Sequence, residues 1–218
     1  MTEVLAPSAP NVGAAEEIDI HIEDDASPFV RLLGRMLRDS ASTAHELLGQ
    51  NAVVGLKSHN TPQAATIAVA DGTIMVSSGI FVEPDAVVTV DVNARLRPTE
   101  DVVGDVALAE TVLRAMTPPL PEWRDAADRF WTLVRGVRGI PDVLVVIAAD
   151  DAGNIEQHVV GEGETQYLIA GPPDALAGIF SGADDLIAVL ATGVLGLQGT
   201  MSQLSIMTGA SWKVRYDV

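Results

Sequence analysis

Residues 167–207 read YLIAGPPDALAGIFSGADDLIAVLATGVLGLQGTMSQLSIM. The stretch opens as an apolar strand, Thr165 to Ala170, and Pro172-Pro173 then starts a helical region. Leu176, Ile179 and Phe180 share one helical face there, and Leu186, Ile187 and Leu190 share another. Val194 to Leu197 is a short run held between Gly193 and Gly199. Thr200 can cap a last amphipathic segment carrying Met201, Leu204, Ile206 and Met207, which Gly209 ends, and Trp212 to Val218 reads as a closing strand.

Upstream, a helix over Glu122–Val137 carries Phe130, Trp131, Leu133 and Val134. Val143 to Ala148 is a buried strand, DDAGN at 150–154 a hairpin turn, and Ile155 to Val160 the return strand. Pro118, Pro119 and Pro121 form a proline-rich linker, residues 118–121, that separates this block from an earlier one. The earlier block, 27–117, opens with a helix at Ser27-Pro28, where Phe29, Leu32, Leu33, Met36 and Leu37 fall at i, i+3, i+4, i+7 and i+8. Strand-like runs follow at 52–56, 65–70, 73–76 and 86–92, with Asp71-Gly72 as a hairpin turn. A helix capped by Thr99 then places Val102, Val106, Ala109 and Leu113 on one face. Both blocks run helix, strands, helices, and a duplication is one reading of that order. The fold class expected is α+β, with mainly antiparallel, twisted sheets covered by helices.

The chain has 218 residues, 30 acidic and 13 basic, for a net charge of -17. Seven acids and no Lys or Arg lie in residues 1–26, which read as a flexible acidic arm. Within it, Ile18 to Ile22 alternates apolar and polar, a pattern that permits a short edge strand. Such a charge is repelled by phosphate backbones and anionic membranes, so no nucleic-acid partner is expected. Cysteine is absent, which removes disulfides and thiolate sites. The longest nearly apolar run, residues 186–197, falls short of the roughly 18 residues of a membrane span, and the first residues lack the pattern of a signal peptide. A cytoplasmic protein without stable membrane insertion is expected.

The four histidines, His21, His45, His59 and His158, have no metal-ligand spacing, and no cofactor motif is present. Gly193-Val-Leu-Gly196-Leu-Gln-Gly199 does not match a dinucleotide fingerprint. Asp91, within an apolar strand, would be a candidate base if its face were buried; its alternation with valines points it outward. Arg31, Arg35 and Arg38 lie off the stripe of the first helix, where pairing with the chain's own carboxylates accounts for them. Aromatic residues make up 4% of the chain, so its apolar surface is mostly aliphatic. Such a wall suits a flexible lipid, and it equally suits an ordinary core.

Residues 167–207 resemble the end of the sterol carrier protein 2 lipid-transfer family. Gly193-Val-Leu195-Gly-Leu197-Gln-Gly199 is similar to its glycine-bounded strand, and Met201, Leu204 and Met207 fit its last helix. DGTIMVSSG at 71–79 and EPDAVVTVDV at 83–92 resemble its hairpin and following strand. The chain departs from the family in lacking a glycine-bounded strand after residues 100–117 and in the shortness of the segment after Thr200. The resemblance implies either two such lobes, 27–117 and 122–218, one of them truncated, or one lobe with a large insertion; it also implies an apolar tunnel for fatty acyl chains, sterols or similar lipids, and no catalytic residue. The ligand-binding wall would be Ile179, Phe180, Leu186, Leu190, Leu195, Leu197, Met201, Leu204 and Met207. Two alternatives stand beside a lipid binder. One is a cavity enzyme on a hydrophobic substrate, using Asp91 or Tyr167. The other is a non-catalytic subunit, assembled as a homo-oligomer or with a partner met by the acidic arm.

Overall fold

In the computed structural model, which describes residues 18–216, the stripe at 29–37 becomes helix α1, Pro28–Asp39. The Ser27 hydroxyl accepts the N–H of Val30 (3.3 Å), and Pro28 takes the first turn, where its missing N–H costs nothing. Phe29, Leu32, Leu33, Met36 and Leu37 are all buried, each contributing roughly 1.5–3 kcal/mol on leaving water. A short helix α2, Ala41–Ala44, and a single 3-10 turn, His45–Leu47, lead to the first sheet.

That sheet contains β1 (Asp19–Ile22), β2 (Ala52–Ser58), β3 (Ala64–Ala70), β4 (Thr73–Ser78), β5 (Ala86–Asp91), β6 (Arg97–Pro98) and β7 (Val103–Gly104). Its order is β1-β4-β3-β2-β5-β6, with β7 also on β5. The β1–β4 and β2–β5 pairs are parallel and the others antiparallel. Asp71 and Gly72 both have positive φ (51° and 76°), the geometry of a two-residue hairpin turn between β3 and β4. Register puts Val54 opposite Ile67 and Ile67 opposite Val76, so one face carries a row of buried aliphatic side chains beneath α1. The alternation at 18–22 is used as an edge strand, β1, while residues 1–17 of the acidic stretch lie outside the described residues.

The helix expected after Thr99 starts later. Thr99 donates its N–H to the Thr89 carbonyl (2.9 Å) and prolongs the sheet edge. Helix α3, Val106–Ala115, is capped by Asp105, which accepts the N–H of Leu108 (3.0 Å). The buried face therefore contains Leu108, Ala109, Val112 and Ala115, and Val106 is exposed.

The second half comprises α4 (Trp123–Val134), β8 (Val143–Ala149), β9 (Ile155–Gly161), β10 (Gln166–Gly171), α5 (Pro173–Phe180), α6 (Leu186–Ala191), β11 (Gly196–Gln198) and α7 (Met201–Tyr216). Its sheet has the order β11-β10-β8-β9, with β8 parallel to β10 and its other pairs antiparallel. The path β9-β8-β10-β11 repeats β3-β2-β5-β6: an antiparallel hairpin, a parallel neighbour, then an antiparallel edge. Each half has its own hydrophobic core. The molecule is thus α+β, with two mainly antiparallel sheets and helices packed on them.

Helix α7 corrects two expectations. It does not stop at Gly209, and residues 212–216 are its last turn, not a strand. A glycine inside a helix costs about 1 kcal/mol, but α7 packs against α1 as well as α4, α5 and α6. Burial of the apolar side chains of Met207 and Ala210 offsets that cost.

Three arginines join the halves. Arg35 on α1 donates to the carbonyls of Ser181 (2.8 Å), Gly182 (2.9 Å) and Arg215 (3.0 Å), and to Asp39 (2.9 Å). Arg215, fully buried, donates to Gly182 and Ala183 (3.0 and 2.7 Å) and, across the seam, to the Val92 carbonyl (2.8 Å). Gly182 receives both cations with φ 75°, and a Cβ there would come within 2.9 Å of the Arg215 Cα. Arg95 grips buried Asp184 through Nε (2.9 Å) and Nη2, and that hydrogen bond raises the Arg95 pKa above its ordinary value.

Candidate functional site

Beside this seam the two halves leave a cleft of about 680 Å³. From the first half, α1 contributes Arg35, Met36, Arg38 and Asp39. The proline-rich segment Pro118–Pro121 forms a wall with Leu120 among its rings. Proline has no N–H to leave unpaired, so such a segment can border an apolar hollow with few orphan donors. From the second half, α4 presents Asp125, Arg129 and Leu133, at i, i+4 and i+8 on one face, together with Ala126. Phe180, Ser181 and Ala183 follow from the end of α5, and Lys213 and Val214 from α7. The cleft is amphipathic, with Met36, Leu120, Leu133, Phe180 and Val214 as apolar surface and four basic side chains against two acidic ones.

Of the nine residues expected to line a ligand wall, Phe180 reaches this cleft. Ile179, Leu186, Leu195 and Met207 are buried in the second core with it, and Leu190 and Leu197 pack against that core. Phe180 also meets the Phe130 ring, 5.3 Å between centroids. Leu204 is half-buried on α7, and Met201, at its start, is 79% exposed.

The other candidates have local partners. Asp91 lies on the sheet face opposite the core, with Val87 and Thr89, and accepts the N–H of Asn93 (2.8 Å) to start a 3-10 turn. Tyr167 is buried among the second core's side chains, where desolvation pushes its phenol pKa up to about 12. Neither lines the cleft. His21 pairs with Asp19 (3.1 Å) and His158 with Asp128 (2.7 Å). Among the described residues, no group of three or more His, Asp or Glu is placed to hold a metal ion, and no helix is long and apolar enough to cross a membrane. Of the arginines on α1, Arg35 pairs with Asp39, but most of its donors go to carbonyls of the second half.

The cleft residues missed from sequence are Leu120, Arg129, Leu133 and Lys213. The i+4 spacing of Asp125, Arg129 and Leu133 puts the three on one face of α4, which by itself reads as its solvent side. Leu133 is apolar, yet it falls off the buried stripe of Trp123, Ala126, Ala127, Phe130, Trp131 and Val134.

The arrangement is that of a two-sheet α+β protein with an amphipathic cleft between its halves. No family model matches the chain, and no curated protein does. Two solved structures resemble parts of it. A palmitated SCP2L2 from Aedes aegypti, solved by solution NMR, is 13% identical over 43% of this chain and 95% of its own, with a TM-score of 0.33. The conserved hypothetical protein TT1886 from Thermus thermophilus, described as possibly a sterol carrier protein, is 17% identical over 44% of this chain and 85% of its own, with a TM-score of 0.29.

Proposed function

We propose that this protein binds, and hands on, an apolar ligand such as a fatty acyl chain, a sterol or a similar lipid, held in the cleft between its halves. The observation that carries the proposal is the cleft itself. Its volume of about 680 Å³ falls within the roughly 300–1,000 Å³ of small-molecule sites, and Met36, Leu120, Leu133, Phe180 and Val214 give it an apolar wall. Ligand surface buried there is worth roughly 25 cal/mol per Å². The family motifs at 71–92 and 167–207 support the same ligand class. Of the wall residues expected from sequence, Phe180 is the one retained.

The test is native mass spectrometry of gently purified protein, followed by titration with a fluorescent fatty acid. Co-purifying lipid and micromolar binding are expected. Leu133→Glu should weaken binding at least tenfold without unfolding the protein, because Leu133 is 49% exposed and its loss opens no core cavity. A protein that emerges without lipid and binds no fluorescent fatty acid or sterol analogue would end the proposal.

A further inference from the structure

We infer that the cleft selects amphiphiles with an anionic head group over neutral ones of the same chain length, and that Arg129 and Lys213 form the head-group site. This selectivity rests on the cleft being the ligand site. The chain carries 13 basic residues against a net charge of -17, so its general field repels anions. Four of those basic residues, Arg35, Arg38, Arg129 and Lys213, nevertheless line one cleft, where the acids are Asp39 and Asp125. A local concentration of cations in an acidic protein needs a cause.

For Arg35 the cause is structural: it is spent on three carbonyls and Asp39. Arg38 has contacts of its own. Arg129 and Lys213 are different. They come from separate helices, α4 and α7, and among the described residues neither has an ion-pair partner within 4 Å. The last-turn position of Lys213 complements the α7 dipole, yet it leaves the ammonium donors available. Arg129 sits one turn before Leu133, so a chain lying on Leu133 and Phe180 would bring its head toward the guanidinium. The nearest competitor on that helix face is Asp125, one turn back, and it forms no ion pair with Arg129. A carboxylate or a phosphate monoester supplies the charge and the acceptors that these two donors lack.

The experiment compares dodecanoate, dodecyl phosphate and dodecanol by calorimetric titration of the full chain. The wild type should bind the two anions at least tenfold more tightly than the alcohol, and added sodium chloride should narrow that gap. Dodecanoate against dodecyl phosphate tells which head is preferred. Arg129→Gln with Lys213→Gln should bring the affinities for the two anions down to within twofold of that for dodecanol, with the melting temperature unchanged, since both side chains are exposed. Equal affinity for dodecanol and dodecanoate in the wild type, or a gap that survives the double substitution, overturns the head-group site and leaves the lipid reading standing. Failure of all three compounds to bind overturns both.

Discussion

The two halves share a strand path and differ in what surrounds it. In the first, β3 is covered by β4, and β4 by β1, so the hairpin lies inside a sheet of seven strands. In the second, the equivalent strand β9 is the edge. Its inward side chains are tied to α4: Glu156 to Arg124, and His158 to Asp128. Its outward side chains Ile155 and Val159 are exposed. The connection back to the parallel strand differs as well. Residues 79–85 cross the outer face of the first sheet, with Ile80 over Gly55, whereas four residues, 162–165, suffice in the second. Among the described residues, strands supply ten of the buried side chains of the first core and five of those of the second, where helices packed on a smaller sheet supply most of the rest. The same path tolerates both solutions because each core needs only one covered face.

The seam offers the most forceful way to separate the halves. Arg215→Ala removes a buried cation and leaves the carbonyls of Val92 and Ala183 short of a donor, while Gly182 keeps the hydrogen bond from Arg35. A loss of about 1–3 kcal/mol for each carbonyl left unsatisfied is expected. Calorimetry should then show two transitions in place of one, the second half melting first. An unaltered single transition would mean that the halves are joined by something other than the arginines.

A smaller effect is expected at the crossing over the first sheet. A Cβ at Gly55 would lie 2.7 Å from Ile80 Cδ1, so Gly55→Val should displace the 79–85 connection and cost about 1–3 kcal/mol. Chemical denaturation would measure it. No change would show that the connection rests only lightly on the sheet.

The smallest effect distinguishes the turns of the second sheet. Asp142 accepts the N–H of Thr165 (2.9 Å), the Thr165 hydroxyl (2.7 Å) and the N–H of Glu164 (3.2 Å), which hold its carboxyl below the usual carboxylate range. A depressed folded-state pKa adds stability that is complete above the unfolded value, near pH 4, and is lost as pH falls through the folded value. Wild type should therefore melt slightly above Asp142→Asn at pH 7, and the gap should close in acid. A gap independent of pH would assign the effect to the lost acceptor geometry.

These contrasts also explain what was legible in the sequence. α1 could be read because it is capped by Ser27-Pro28 and buried on one side only, so its stripe is clean. Strands β2 to β5 and β8 to β10 could be read because their turns, such as Asp71-Gly72, are chemically explicit. α7 could not, because the face it buries, with Met207, Thr208, Ala210, Ser211 and Arg215, is mostly small or polar and leaves no apolar stripe to read. The start of α3 was missed because two short strands occupy residues that resemble a helix entry. Most of the cleft was hidden for a related reason. Arg129 and Leu133 look like the solvent side of α4 until the proline-rich segment and α1 are placed opposite them. A surface made by two units is not encoded in the periodicity of either.

The proposed lipid site lies between the halves and not under the second sheet. Photo-cross-linking with a diazirine-bearing dodecanoate, mapped by mass spectrometry, tests it directly. Adducts that unlabelled dodecanoate competes away should fall on Met36, Leu120 and Leu133. Adducts confined to the side chains between Leu176 and Leu195 in the second core would contradict it.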